Sequence, residues 1–244
     1  MTPQYLHDAG QLMVIDIETV PQYPNFASVP PDWQQLWTEK ISKLLPEGTE
    51  AADVYDTRAG ILAEFGRIIC ISTGIFYNDK AGRTCFRIKS FSNDDEQTLL
   101  SEFVAAAGAY VQQNRQVSFA GHNIREFDIP YICRRMLING MALPAFLDFT
   151  GKKPWEVKMV DTLQMWKFGD YKHYTSLRLL TACLNVPSPK NELDGSKVRE
   201  VYYVEKNLPS IVSYCQGDVV AVANLLQRMQ NLPVLPDANI FVAE

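Results

Sequence analysis

Histidine is scarce in this chain of 244 residues: only His7, His122 and His173 are present. A histidine-built metal centre is disfavoured, so any metal site has to rest on carboxylates. Paired cysteine is missing too. Cys70, Cys85, Cys133, Cys183 and Cys215 are odd in number, scattered and without a CxxC spacing. That argues against a zinc site or a disulfide frame and reads as reduced core thiols of a cytoplasmic protein. No apolar run approaches the roughly 20 residues that span a bilayer. The opening MTPQYLHDAG has neither the basic nor the apolar region of a secretory signal. Positive charge is not in excess either, with a formal net charge of −5. This weighs against a nucleic-acid partner, but the distribution weighs less. Residues 121–200 carry 12 Lys/Arg and 9 Asp/Glu, a net of +3, and the remainder carries 11 and 19, a net of −8. A modest basic region beside acids that bound cations neutralise can hold a phosphate backbone. Ordinary scatter of surface charge gives the same count.

What is present is apolar content: 47% hydrophobic against 21% charged. A chain of this length and composition fills one sizeable core, so residues 1–244 are expected to form a single domain. Residues at about 21–60 interrupt the β pattern with a Pro- and aromatic-rich stretch and read as an insertion. It should hold one helix from about Asp32, as N-cap, to Leu45 and another over Ala51–Phe65. GRIICISTGIFY, the turn NDKAG and RTCFRIKSF form a hairpin. NDDEQTLLSEFVAAAGAYVQQ is a helix, QVSFAGHN a strand ending at Gly121, and EFDIPYICRRMLING a helix closed by Asn139-Gly140. VKMVDTLQMW is another strand ending near Asp161, and HYTSLRLLTACLNV and LPSIVSYCQGDVVAVANLLQRMQ are the last helices. Strands alternating with helices predict an α/β fold, and the hairpin makes its central sheet mixed.

The first strand, LMVIDIETVP, carries two acids. Side chains alternate along a strand, so Asp16 and Glu18 share a face with Val14, and Ile15 and Ile17 take the other. Apolar residues on both faces mark a central strand. Buried like charges are costly. Two readings remain open: the strand end reaches water before Pro21, or a divalent cation offsets the acids. Further along, Asp128 falls after a strand, at a helix start, where a first-turn acid favours the helix dipole. Asp218 lies within an apolar helix, with Tyr214 one turn before it on the same face. Each has an ordinary explanation when taken singly.

Taken in order, DIET, NIREFD and YCQGD resemble the three motifs of the DEDD superfamily of exonucleases, whose fold is RNase H-like. The resemblance spans roughly Leu12 to Met229 and is nearest to the 3′–5′ exonuclease domain of family B DNA polymerases and related stand-alone exonucleases. Tyr214 stands four residues before the last acid, and Ser213 occupies the position where another subgroup has histidine. The match is therefore to the tyrosine subgroup. The resemblance implies that Asp16, Glu18, Asp128 and Asp218 hold two Mg²⁺ or Mn²⁺ ions, that Tyr214 orients the attacking water, and that nucleoside 5′-monophosphates are released from the 3′ end of single-stranded DNA or RNA. It implies nucleic-acid contacts at Thr19, Asn123 and Phe127. Thr19 is also what a strand end favours, and Phe127 what a core favours. His122 reads as a satisfied loop residue, Asp161 as a structural acid, and the loop Ser188–Val198, with Lys190, Gly195 and Ser196, as a contact for the phosphate backbone or a plain polar loop. No polymerase segment follows residue 244, so an activity that stands alone or works through a partner is expected. An exoribonuclease is the alternative enzyme reading. A non-catalytic nucleic-acid-binding module on this fold requires decay of the acids, and all four are present with the tyrosine.

Overall fold

The computed structural model describes residues 11–114, 116–153, 156–170, 174–187 and 193–243. The central strand is β1 (Leu12–Pro21). It pairs antiparallel with β2 (Gly66–Asn78), which forms a hairpin with β3 (Thr84–Ser92). On its other side β1 runs parallel to β4 (Ser118–Gly121), itself parallel to β5 (Met159–Asp161). A short β6 (Ile240–Val242) joins β3, and the sheet order is β5-β4-β1-β2-β3-β6.

The two-sided hydrophobicity of β1 is used as its pattern demands. Met13, Ile15 and Ile17 pack with Leu99, Leu100 and Phe103 of α3 (Glu96–Gln113) and with Ile129 and Ile132 of α4 (Asp128–Ile138). Val14 packs on the opposite face with Val219, Val222 and Leu226 of α8 (Leu208–Met229). Shorter helices after α4 are α5 (Thr162–Lys167), α6 (Leu177–Cys183) and α7 (Val198–Tyr203). Among the described residues no helix is long and apolar enough to cross a membrane.

The segment between β1 and β2 departs from expectation. Helix α1 is Pro31–Ile41, and Asp32 is not its cap: proline occupies the first turn, where its fixed φ suits a helix start, and Asp32 sits in that turn as a dipole-favourable charge. The helix expected over Ala51–Phe65 is broken into a 3₁₀ turn, the single turn α2 (Tyr55–Arg58) and a second 3₁₀ turn. Tertiary contact sets that path. Gly60 lies so close to β1 that a Cβ would meet the Val20 carbonyl carbon at 3.2 Å, and Tyr131 donates to its carbonyl at 2.8 Å. The segment has a core of its own, in which Trp37 is boxed by Tyr55 and Phe65 and donates to the Ala51 carbonyl at 2.7 Å.

The expected strand over VKMVDTLQMW is also shorter. Asp161 ends it, because its carboxylate accepts from the Leu163 and Gln164 amides and so caps α5. Helix α6 is similarly shorter than expected, beginning behind its cap Ser176, and α7 and β6 are further elements. A buried ion pair ties the elements together. Glu96 accepts from Arg135 at 2.5–3.1 Å, from the Ile68 amide at 2.7 Å and from Asn139 at 2.9 Å, and Arg135 also reaches the Ala63 carbonyl at 2.9 Å.

Candidate active site

The site begins where β4 stops. Its pairing with β1 ends at Val14↔Ala120. Gly121 then lets the chain turn away, since a Cβ there would sit 2.9 Å from the Ile15 carbonyl oxygen and 2.0 Å from Ile124. Asn123 continues the turn at φ 64°, a left-handed conformation that asparagine tolerates. The edge of β1 beyond this point is left without a neighbouring strand. Its Ile17 amide donates instead to Asp128 Oδ1 at 3.2 Å. Motif two is thus fastened to motif one by a backbone-to-carboxylate bond.

Asp16 and Glu18 face α8, as the alternation predicts. Opposite them on β2 lie Ser72 and Cys70, and the register slips between Glu18 and Thr19. From α8, Cys215 donates its thiol to Asp16 Oδ2 at 3.3 Å and to the Asp16 carbonyl at 3.4 Å. Ligand atoms of Asp16, Glu18 and Cys215 lie within 4.8 Å of one another. Tyr214 and Asp218 stand one turn apart on the same face of α8, close enough for the carboxylate's charge to raise the phenol's pKa.

Four acids in one low-dielectric pocket oppose one another. Burial, then the charges of Asp128, Asp218 and Glu18, push the Asp16 carboxyl well above the usual carboxylate range, against the Cys215 hydrogen bond. Burial, then Asp218, raises Glu18 in the same way. Burial raises Asp128 to about 7 in spite of its backbone hydrogen bonds, and raises Asp218 to about 6 in spite of the Tyr214 hydroxyl. Burial and the charges of Asp218, Glu18 and Asp16 hold the Tyr214 phenol well above its ordinary value, so it is a neutral donor at neutral pH. Among the described residues the ion pairs are Arg83–Asp79, Arg135–Glu96 and Arg199–Asp56, none of which reaches these acids. Oxygen donors with mutually raised pKa values and no such partner suit a hard divalent cation.

The structure therefore brings Asp16, Glu18, Asp128, Tyr214 and Asp218 together. Thr19 does not face them: its side chain lies on the other face, toward the Tyr131 hydroxyl, leaving only its backbone for the site. Phe127 is half-buried, 5.4 Å from the Tyr131 ring, and packs at the edge of the core. Asn123 carries a buried side-chain oxygen without a hydrogen-bond partner. Asp161 is structural as expected, accepting from the amides of Asn123 at 2.9 Å and Arg125 at 3.2 Å and so shaping the motif-two loop. His122 is satisfied on both ring nitrogens, by Thr162 Oγ1 and the Thr175 carbonyl, each at 2.9 Å. Of the Ser188–Val198 loop, Lys190 lies outside the described residues. Gly195 does reach the site, since a Cβ there would stand 3.9 Å from the Tyr214 hydroxyl. Cys215 escaped the sequence reading because cysteine in an apolar helix reads as core. Its adjacency to Tyr214 was the only signal.

A mixed sheet with helices on both faces and acids gathered at the open edge of its central strand defines an RNase H-like exonuclease domain as the class. The chain belongs to the family described as predicted 3′–5′ exonucleases related to the exonuclease domain of PolB, whose model matches residues 61–233. That match holds Asp128, Tyr214 and Asp218 but begins after β1, so Asp16 and Glu18 join the site through the fold. A solved structure of the family B DNA polymerase from the hyperthermophilic archaeon Pyrobaculum calidifontis is similar, with a TM-score of 0.54 and 15% identity over 90% of this chain. The chain covers 24% of that polymerase, and the likeness is one of fold. No curated protein matches.

Proposed function

We propose that this protein is a metal-dependent 3′–5′ exonuclease of the tyrosine subgroup, acting on single-stranded DNA and releasing nucleoside 5′-monophosphates. The observation that carries the reading is the convergence of four carboxylates from β1, α4 and α8, Glu18 and Asp128 buried and Asp16 and Asp218 partly so, with raised pKa values and a tyrosine beside one of them. Asp16, Glu18, Asp128 and Asp218 would hold two Mg²⁺ or Mn²⁺ ions. When bound, such ions supply a hydroxide-like water and offset charge on the departing 3′ oxygen. Tyr214 keeps its proton and works as a hydrogen-bonding group that orients the attacking water, because a phenol held this high is no base at neutral pH. The Cys215 thiol fixes one oxygen of Asp16. Asn123 and Phe127, with the Thr19 backbone, border the terminal nucleotide.

We further propose that the chain acts as one domain, residues at about 21–60 being an insertion packed on it, and that it works in the cytoplasm, where its five free thiols stay reduced. End-labelled single- and double-stranded DNA and RNA, incubated with Mg²⁺, Mn²⁺ or EDTA, test the reading. Stepwise shortening of the single strand from the 3′ end in either metal, and none in EDTA, is expected. Faster degradation of RNA would select the exoribonuclease alternative, and no degradation of any substrate would contradict the assignment.

A further inference from the structure

Tyr174 is a large aromatic residue left open, with 67% of its surface exposed. It stands just before α6, and the fold holds it at the edge where β4 and β5 end. Its ring lies 6.3 Å from that of His122, at 70°, edge to face. His122 cannot swing, since Thr162 and the Thr175 carbonyl hold its two nitrogens. Thr162 in turn donates to the carbonyl of Gly121, the last residue of β4. The Tyr174 hydroxyl is near enough to Asp128 and Asp161 for their charges to add to the effect of burial and raise its pKa. The ring thus stands edge to face with a fixed His122 beside the motif-two loop, and most of it is open to solvent. Packing gives no reason for it, because an exposed aromatic ring gains little from burial.

We propose that Tyr174 is a stacking platform for an unpaired nucleobase of the strand whose 3′ end enters the acid cluster, with His122 as the residue that positions it. This rests on the exonuclease reading above and names how that site selects substrate. Stacking on a π-face is open to every base and to DNA and RNA alike, but a base held in a duplex cannot reach the ring. Tyr174 therefore favours unpaired ends without reading sequence. Phe127, the aromatic residue that the motifs offered for this role, is half-buried against Tyr131 and less available.

The test is steady-state kinetics on a 3′-terminal series of single-stranded oligonucleotides carrying one abasic sugar at successive positions. Tyr174→Ala is expected to raise KM roughly tenfold with kcat unchanged, the scale of one lost base–aromatic stack. Tyr174→Phe and Tyr174→Trp keep the face and should keep the wild-type KM. In the wild type, one abasic position should raise KM as much as Tyr174→Ala does. Combining the two should raise it no further, as expected for two halves of one contact. A wild-type KM in Tyr174→Ala, or a defect in Tyr174→Phe equal to that in Tyr174→Ala, would overturn the platform while leaving the exonuclease reading intact. Absence of any cleavage by the wild type would overturn both.

Discussion

At the residue scale the four acids behave as one charged unit whose parts repel. Asp16→Ala or Asp218→Ala is expected to abolish exonuclease activity yet keep or raise the melting temperature in metal-free buffer, because removing one carboxylate relieves the rest. A large fall in that temperature would make the residue structural. Tyr214→Phe removes one hydroxyl and no metal donor. Its kcat is expected to fall by roughly 10²–10⁴-fold, the usual range for a positioned proton-handling group, with KM and Mn²⁺ affinity near wild type. Unchanged turnover would remove Tyr214 from the mechanism. The pH dependence has a definite sign. Asp128 takes up a proton near pH 7 when folded, against an ordinary value of 3.8. Between these values the folded state holds the extra proton, so this group's contribution to metal-free stability falls as pH rises from about 4 to about 7. Melting curves of metal-free wild type and Asp128→Asn across that window check it. The variant should show the flatter profile, and parallel profiles would contradict the assigned shift.

At the scale of elements, the site depends on where strands stop and helices start. The Glu96–Arg135 pair joins α3 and α4 to β2 and to the end of the inserted segment. Arg135→Met strands a buried carboxylate and is expected to cost about 3–5 kcal/mol, a fall of roughly 10 °C in melting temperature for a chain of this size. Calorimetry should show Glu96→Gln with Arg135→Met recovering much of that loss, and an unchanged melting temperature in the single variant would mean that the pair contributes nothing. Elements governed by local pattern were legible in the sequence: the alternation of β1, the hairpin, the Asp95-capped α3 and the long apolar α8. Elements governed by distant contacts were not. The break at Gly60 comes from Val20 and Tyr131, and the three-residue β6 exists only because β3 offers it an edge.

At the scale of the whole molecule, three of the four clustered acids stood out in the sequence because they sit in apolar elements, and Asp128 only through its place in the order of motifs. Asp16 and Glu18 interrupt a buried strand, and Asp218 interrupts a buried helix. Cys215 and Tyr174 were not legible, since their roles come from neighbours far away in the chain. Under the proposed function one strand end would dock at the open edge of β1, so the protein is expected to shorten linear single strands and to spare a circular one. Cleavage of a circle would mean that internal bonds enter the site. The central claim is that the acid cluster is a two-cation site. Counting bound Mn²⁺ by electron paramagnetic resonance, with a nucleoside 5′-monophosphate present, tests it most directly. Two specifically bound ions per wild-type chain are expected, falling to one or none in Asp16→Ala. No specific binding by the wild type, or an unchanged count in Asp16→Ala, would contradict it.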